Sequence, residues 1–337
     1  MNAPIAYPHE TAPAPGLAVP VAPGIEWLWM PLPFALNHIN LWLLADDAGH
    51  AAVDTGFALD PVREAWKSAL VGRHLTRCIV THCHPDHLGL AAWLEQETGA
   101  PLWMAQGEYL AAHMIAEQIA GYSIAFMVEF FRRHGLDQVR IDGLVARGNG
   151  YKRGVPEIPA TYVRLFDDQM LRIGVNEWRT IVGHGHSPEH MSLYCAELGV
   201  LISGDMLLPR ISTNISVMAS NPHSDPLGLF LDSIDRFRTL PADTLVLPSH
   251  GRPFRGLHTR VDELHAHHAE RCDVLQATCR GKAHSAADLI GVLFGRELSD
   301  PHQTMFAMGE AIAHLNYLEH AGKLQRIEES GLTRYVS

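Results

Sequence analysis

One six-residue run constrains this chain more than any other: His82-Cys83-His84-Pro85-Asp86-His87. It follows Cys78–Thr81, a short apolar run that reads as a buried strand. A loop that leaves a strand end lets side chains at i and i+2 converge. Three imidazoles and a carboxylate converging there are suitable ligands for zinc, iron or manganese. One loop cannot complete two coordination spheres, so further ligands are expected from other strand ends. His186 qualifies, in Gly185-His186-Ser187-Pro188-Glu189-His190 after the strand Arg179–Val182. Asp205 qualifies in Ser203-Gly204-Asp205, after Val200–Ile202. His250 qualifies in Pro248-Ser249-His250-Gly251, after Thr244–Leu247. A buried strand followed at once by a bare His or Asp is a poor packing choice and a good ligand choice. The chain holds 22 histidines, so position and not abundance singles these out.

The 337 residues suit one large domain with a smaller appendage. Residues 1–23 are rich in Ala and Pro and read as a flexible arm without a core. Residues 24–256 read as the catalytic domain. Its expected strands are Ile25–Phe34, His38–Ala45, Ala51–Asp54, Cys78–Thr81, Leu102–Met104, Met170–Ile173, Arg179–Val182, Met191–Ala196, Val200–Ser203 and Thr244–Pro248. They alternate with helices expected at Asp60–Leu70, Leu88–Thr98 and Pro226–Leu240, a layered α/β arrangement. Residues 107–165 interrupt it with a largely helical apolar pattern, read as a packed helix pair, with a lid or a homodimer surface as the sharper alternative. Residues 257–337 read as helices Leu257–Cys279, Ala286–Phe294 and Met305–Ala321, then a hairpin of Leu324–Ile327 and Thr333–Val336. Helices followed by a hairpin make a winged-helix pattern.

Charge narrows the partners. The net charge of −11 repels phosphate backbones. From Arg280 onward there are six Lys/Arg against seven Asp/Glu, Glu297 among them, and Met305–Ala321 has no Lys or Arg. A helix that reads DNA needs such groups, so the tail is expected to be structural and the partner a small molecule, not nucleic acid. No run of about 18 apolar residues suggests a membrane span. The first basic residue is Arg63, so no secretory leader is read, and the five cysteines lack CxxC spacing. Both point to the cytoplasm.

The motifs HCHPDH, GHSPEH, SGDM and PSHG, in that order, resemble the metallo-β-lactamase fold superfamily over roughly residues 25–255. VDTG at Val53–Gly56 resembles its early strand-turn motif. The resemblance implies a four-layer αββα sandwich with two divalent ions at one edge, zinc foremost and iron or manganese as alternatives. It implies that His82, His84 and His186 bind the first ion, that Asp86, His87 and His250 bind the second, and that Asp205 bridges them. Asp54 would orient ligands from behind, unless it is a simple turn residue before Gly56. His190 would pack or hydrogen-bond and not ligate. The tail, with Phe294-Gly295-Arg296 and Phe306–Ala311, resembles the small winged-helix domain of the lactamase-beta-like branch.

The implied reaction is hydrolysis by a hydroxide shared between the ions, with Asp86 relaying a proton. Thiolates and alkoxides leave more easily than amide nitrogen, so a thioester or ester such as an acyl-CoA is the expected substrate. A lactonase and a single-strand ribonuclease are the alternatives. Asp205 stands where common class B β-lactamases carry Cys, which argues against antibiotic hydrolysis. Leu208 stands where acyl-homoserine lactonases often carry Tyr. His84 argues against the diiron oxygen-reducing branch, which has Glu there.

Overall fold

The structure is a computed structural model that describes residues 3–296 and 300–337. Met1 and Asn2 at the start of the expected arm, and Glu297 in the tail, lie outside the described residues. Contacts divide the chain into two compact units. The first comprises residues 3–116, 151–213 and 233–261; the second comprises residues 117–150, 214–232, 262–296 and 300–337.

The first unit is built on two sheets. One runs in sequence order: β1 (Val19–Ala22), β2 (Ile25–Pro31), β3 (His38–Asp46), β4 (Gly49–Val53), β5 (Leu75–Ile79), β6 (Leu102–Ala105) and β7 (Val163–Leu165). β1 to β4 pair antiparallel and β4 to β7 parallel. The other contains β8 (Met170–Ile173), β9 (Asn176–Gly183), β10 (His190–Cys195), β11 (Val200–Gly204) and β12 (Leu245–Pro248), in spatial order β12-β11-β10-β9-β8. Only β11 and β12 are parallel there.

The alternation of side chains explains why the sheets stack. Trp27, Trp42, Val53 and Ile79 from the first sheet share one buried cluster with Trp178, Leu193, Ile202 and Leu247 from the second. The opposite face of the first sheet, with Leu28, Met30, Leu41, Leu43 and Cys78, packs on Val62 and Trp66 of helix Asp60–Ala69 and Leu94 of helix Ala91–Thr98. β3 is buried on both faces, hence its apolar run Leu41–Leu44. The helix Asp60–Ala69 buries Val62, Ala65, Trp66 and Ala69, the spacing of a single helical stripe.

Three expectations are corrected. The arm is not without regular structure: Val19–Ala22 pairs antiparallel with β2, and Ala6 exchanges backbone hydrogen bonds with Arg255. Pro20 suits this strand because an edge position does not need its missing N–H. The helix expected over Leu88–Thr98 is split into a turn at Pro85–Leu88 and a helix at Ala91–Thr98. At Gly89, carbonyls of Gly56, Pro85 and Gly154 stand within 2.5 Å of where a Cβ would lie, and the Leu90 N–H is taken by the Thr55 hydroxyl. The interrupting segment is helical at Gln106–Ala116, Ile124–Arg133 and Gln138–Arg147, but it ends in β7, which joins the sheet beside β6.

In the second unit, helices Ala286–Phe294 and Pro301–His320 precede the hairpin β13 (Gln325–Glu329) and β14 (Leu332–Val336). Pro301–His320 starts earlier than expected because Asp300 caps the Gln303 N–H and Pro301 suits the first turn. No described helix is long and apolar enough to cross a membrane.

Buried imidazoles mark this unit. His268 donates from Nδ1 to His314 Nε2 at 3.1 Å, and His314 donates from Nδ1 to the Glu310 carbonyl at 2.9 Å. Burial holds His314 and His134 down to about 4 and His268 down to about 2. The unfolded chain takes up these protons near pH 6.5 and the folded chain does not. Stability is therefore present above that pH and falls as pH drops, by about 1.4 kcal/mol per pH unit for each group. The urea midpoint should fall between pH 7 and pH 5; a midpoint flat over that range contradicts this reading.

Candidate metal centre

Five strands of the first unit end at one place. Asp54 follows β4, His82 to His87 follow β5, His186 follows β9, Asp205 follows β11 and His250 follows β12. The structure brings all seven expected ligand side chains together there. Their donor atoms form three overlapping groups, His82/His84/His186, His82/His87/Asp205 and Asp86/His87/His250, each within 4.8 Å.

Four of the five imidazoles are held from behind. His87 donates from Nδ1 to Asp54 Oδ2 at 2.8 Å, which leaves Nε2 buried and without a hydrogen-bond partner. His250 donates from Nδ1 to the His38 carbonyl at 2.8 Å, and its Nε2 lies 3.4 Å from both Asp86 and Asp205. His186 Nδ1 lies 2.8 Å from the Thr213 hydroxyl, with Nε2 turned to the cluster 3.1 Å from His82 Nε2. His82 Nδ1 faces the Thr81 hydroxyl at 3.0 Å, and its Nε2 lies 2.9 Å from His84 Nδ1. A nitrogen lone pair from each ring thus faces the interior.

The electrostatics point the same way. Burial would lower His87, yet Asp54, Asp86 and Asp205 raise it to about 9. Burial is likewise overcome at His250, raised well above its ordinary value by Asp205 and Asp86. His84, buried and facing His186, falls to about 3, and burial with His87 beside it holds His82 well below its usual range. Burial opposes ionisation of Asp86, but His87 and His250 pull it to about 2. Among the described residues no Lys or Arg forms an ion pair with Asp54, Asp86 or Asp205; their ion-pair partners are histidines. Asp205 Oδ1 is buried and without a hydrogen-bond partner. Orphaned lone pairs and unneutralised carboxylates at one focus fit a divalent cation.

The backing residues differ in how visible they are in sequence. Asp54 sits in the left-handed region at φ +63°, and its carboxylate accepts from the Thr81 N–H at 2.8 Å besides His87. His190 does not face the cluster with a free Nε2: that atom accepts the Asp205 N–H at 3.0 Å. His184 is bound to its own loop, Nδ1 to the Pro188 carbonyl at 2.7 Å. In the second unit, His223 is exposed and contacts Arg326. Asn40, buried, latches the His250 loop, donating to the carbonyls of Pro248 at 2.8 Å and Gly251 at 2.7 Å. Asn40, Thr81 and Thr213 were not singled out by sequence. A polar residue in a strand otherwise buried on both faces is the signal that marks Asn40; Thr213 carries none.

With this geometry in view, comparison places the chain. The metallo-beta-lactamase superfamily profile matches residues 36–250, and the profile for a metallo-beta-lactamase-like C-terminal domain matches residues 272–337. The chain belongs to the metallo-beta-lactamase superfamily. Its cluster suits a metal-dependent hydrolase, and a similar protein from Bacillus subtilis (strain 168) is named a probable metallo-hydrolase, YqjP. That relative is 22% identical over 303 residues, 86% of this chain and 90% of its own length. A hydroxyacylglutathione hydrolase from Albidiferax ferrireducens is 26% identical over 66% of this chain and 65% of its own. Among solved structures, a beta-lactamase domain protein from Burkholderia ambifaria is 44% identical with a TM-score of 0.92, covering 98% of each chain. A metallo-beta-lactamase family protein from Thermus thermophilus is 29% identical, with a TM-score of 0.78 over 93% of this chain and 98% of its own.

Gly204 makes the Asp205 turn possible. It stands at φ +54°, and a Cβ there would lie 2.3 Å from His190 Nε2. Gly204→Ala should lose about 1–3 kcal/mol from the backbone alone. It should also push His190 off the Asp205 N–H. Thermal unfolding equal to that of wild type would contradict the assigned packing.

Proposed function

We propose that this chain is a two-metal hydrolase of thioesters or esters, acting on an acyl-CoA-like or similar small substrate. The supporting observation is the donor set. Five imidazoles and two carboxylates converge on two foci, one ringed by His82, His84 and His186 and the other by Asp86, His87 and His250, with Asp205 reaching both. Zinc suits such nitrogen and oxygen donors, and iron or manganese suits them as well. When bound, a pair of divalent ions supplies the Lewis acidity that lowers the pKa of water and polarises a carbonyl.

The chain's own groups do the rest. Asp54, Thr81, Thr213 and the His38 carbonyl keep ring nitrogens aimed inward, so little reorganisation is needed as charge develops. Asp86 is the more exposed of the two inward carboxylates, 20% against 10% for Asp205. It is the group to take the proton from attacking water and return it to the departing sulfur or oxygen. A thiolate leaves readily, which favours thioesters over amides. The similar hydroxyacylglutathione hydrolase supports this order of preference.

The tail is read as a winged-helix module with a structural role. Residues Ala307 to Leu318 of its long helix are almost all buried, Tyr317 being half-buried, and a buried helix cannot lie in a nucleic-acid groove.

Metal-loaded protein should release free thiol from acyl-CoA thioesters. Asp205→Ala should cut that rate by more than about 100-fold, beyond the loss seen when a residue behind a ligand is removed. Circular dichroism should stay unchanged. Full activity in Asp205→Ala would sink the two-metal reading. Cleavage of acyl-homoserine lactones or single-stranded RNA, with no thiol release, would replace the substrate.

A further inference from the structure

The first of the two proposed foci draws its histidines from distant parts of the chain. His82 and His84 sit on the loop after β5, and His186 sits on the loop after β9. At their bases the two loops share one backbone hydrogen bond, Met191 N–H to the Thr81 carbonyl at 2.8 Å. At their tips the join is a carboxylate. Glu108, fully buried in the first turns of helix Gln106–Ala116, accepts the Cys83 N–H on Oε2 at 2.8 Å. Its Oε1 accepts the Ser187 hydroxyl at 2.7 Å and the Glu189 N–H at 2.6 Å. Cys83 lies between His82 and His84, and Ser187 adjoins His186.

Burying a carboxylate is costly unless donors surround it, and the donors chosen here all belong to the two ligand loops. The far side of the same Cys83 peptide is gripped as well: the Tyr151 hydroxyl donates to the Cys83 carbonyl at 2.6 Å. Gly107, beside Glu108, donates its N–H to Glu189 Oε2 at 2.6 Å, and a Cβ at Gly107 would lie 2.9 Å from that carboxyl group. The glycine lets the helix approach the loop closely enough for Glu108 to reach both.

The second focus is held by other groups. His87 is fixed by Asp54, and its carbonyl accepts the Thr55 N–H at 2.8 Å and the Thr55 hydroxyl at 2.7 Å. The loop of His250 is fixed by Asn40 and by the His38 carbonyl. The hydrogen bonds of Glu108 go instead to Cys83, Ser187 and Glu189. We infer that Glu108 is a positioning residue for the first ion alone, stapling the His82/His84 loop to the His186 loop. The inference rests on the two-ion reading above and adds that one buried carboxylate braces the two loops of the first ion, while the groups that fix His87 and His250 lie elsewhere.

The test is a titration of metal-free, full-length protein with Co2+, read by visible absorbance and by ion count in native mass spectrometry. Wild type should take up two ions. Glu108→Gln should weaken one of them by about 10–100-fold, as loss of a group behind a ligand does. In a His84→Ala background, which lacks the first ion, adding Glu108→Gln should change the remaining affinity by less than about threefold. In a His250→Ala background it should reproduce the full loss. Ser187→Ala removes one of the three donors and should weaken the same ion, so a poorly folded Glu108→Gln does not shield the inference. Equal weakening of both ions would mean a general structural role and would overturn it, as would no change in either. A wild type that takes up one ion would remove the two-ion reading itself, before any variant is compared.

Discussion

The groups gathered at the centre of this molecule's cluster are imidazoles and carboxylates, and among the described residues no Lys or Arg pairs with them. Asp54, Asp86 and Asp205 lie within ion-pair distance of histidines only, among the described residues. Burial should have kept these rings neutral, yet His87 rises to about 9 because the carboxylates are starved of positive charge. That imbalance is what a divalent ion would relieve. Much of the surrounding structure can be understood as holding the imbalance in place.

The scaffold does so by ending strands at a common edge. Parallel pairing of β4 with β5 and of β11 with β12 sends the loops bearing Asp54, His82, Asp205 and His250 out on one side. The loops are then pinned by single side chains rather than by more sheet. Asp54 binds the Thr81 N–H and His87, Asn40 binds the His250 loop, and His190 binds the Asp205 N–H. Each pin is itself buried, so it excludes water while it aligns a ligand. At Gly204 backbone freedom and close approach are both required, because His190 occupies the space of a side chain.

The sequence made the inward-facing residues readable for a simple reason. His186, Asp205 and His250 each follow an apolar strand at once, where packing alone would not choose them. Periodicity also sufficed for Met170–Ile173 and Ala286–Phe294, whose bounds match the structure. Reading failed where tertiary contact decides. Val19–Ala22 becomes a strand because β2 offers an edge, although its Pro-rich setting suggests an arm. Val163–Leu165 becomes β7 because β6 lies beside it, although the preceding helices mask so short a run. Thr213 and Thr81 look like ordinary polar residues, and their meaning comes from the rings they meet. Glu108 carried a usable signal, an acid three residues past the end of β6, but its partners lie on two distant loops.

The central claim is that one edge of the two sheets holds a pair of ions. Crystals grown with Zn2+ and measured at the zinc absorption edge test it directly. The account predicts two anomalous peaks about 3.5–4 Å apart. One should lie about 2.0–2.1 Å from nitrogens of His82, His84 and His186, and the other within the same range of His87 and His250. A single peak, or peaks away from these residues, would contradict it.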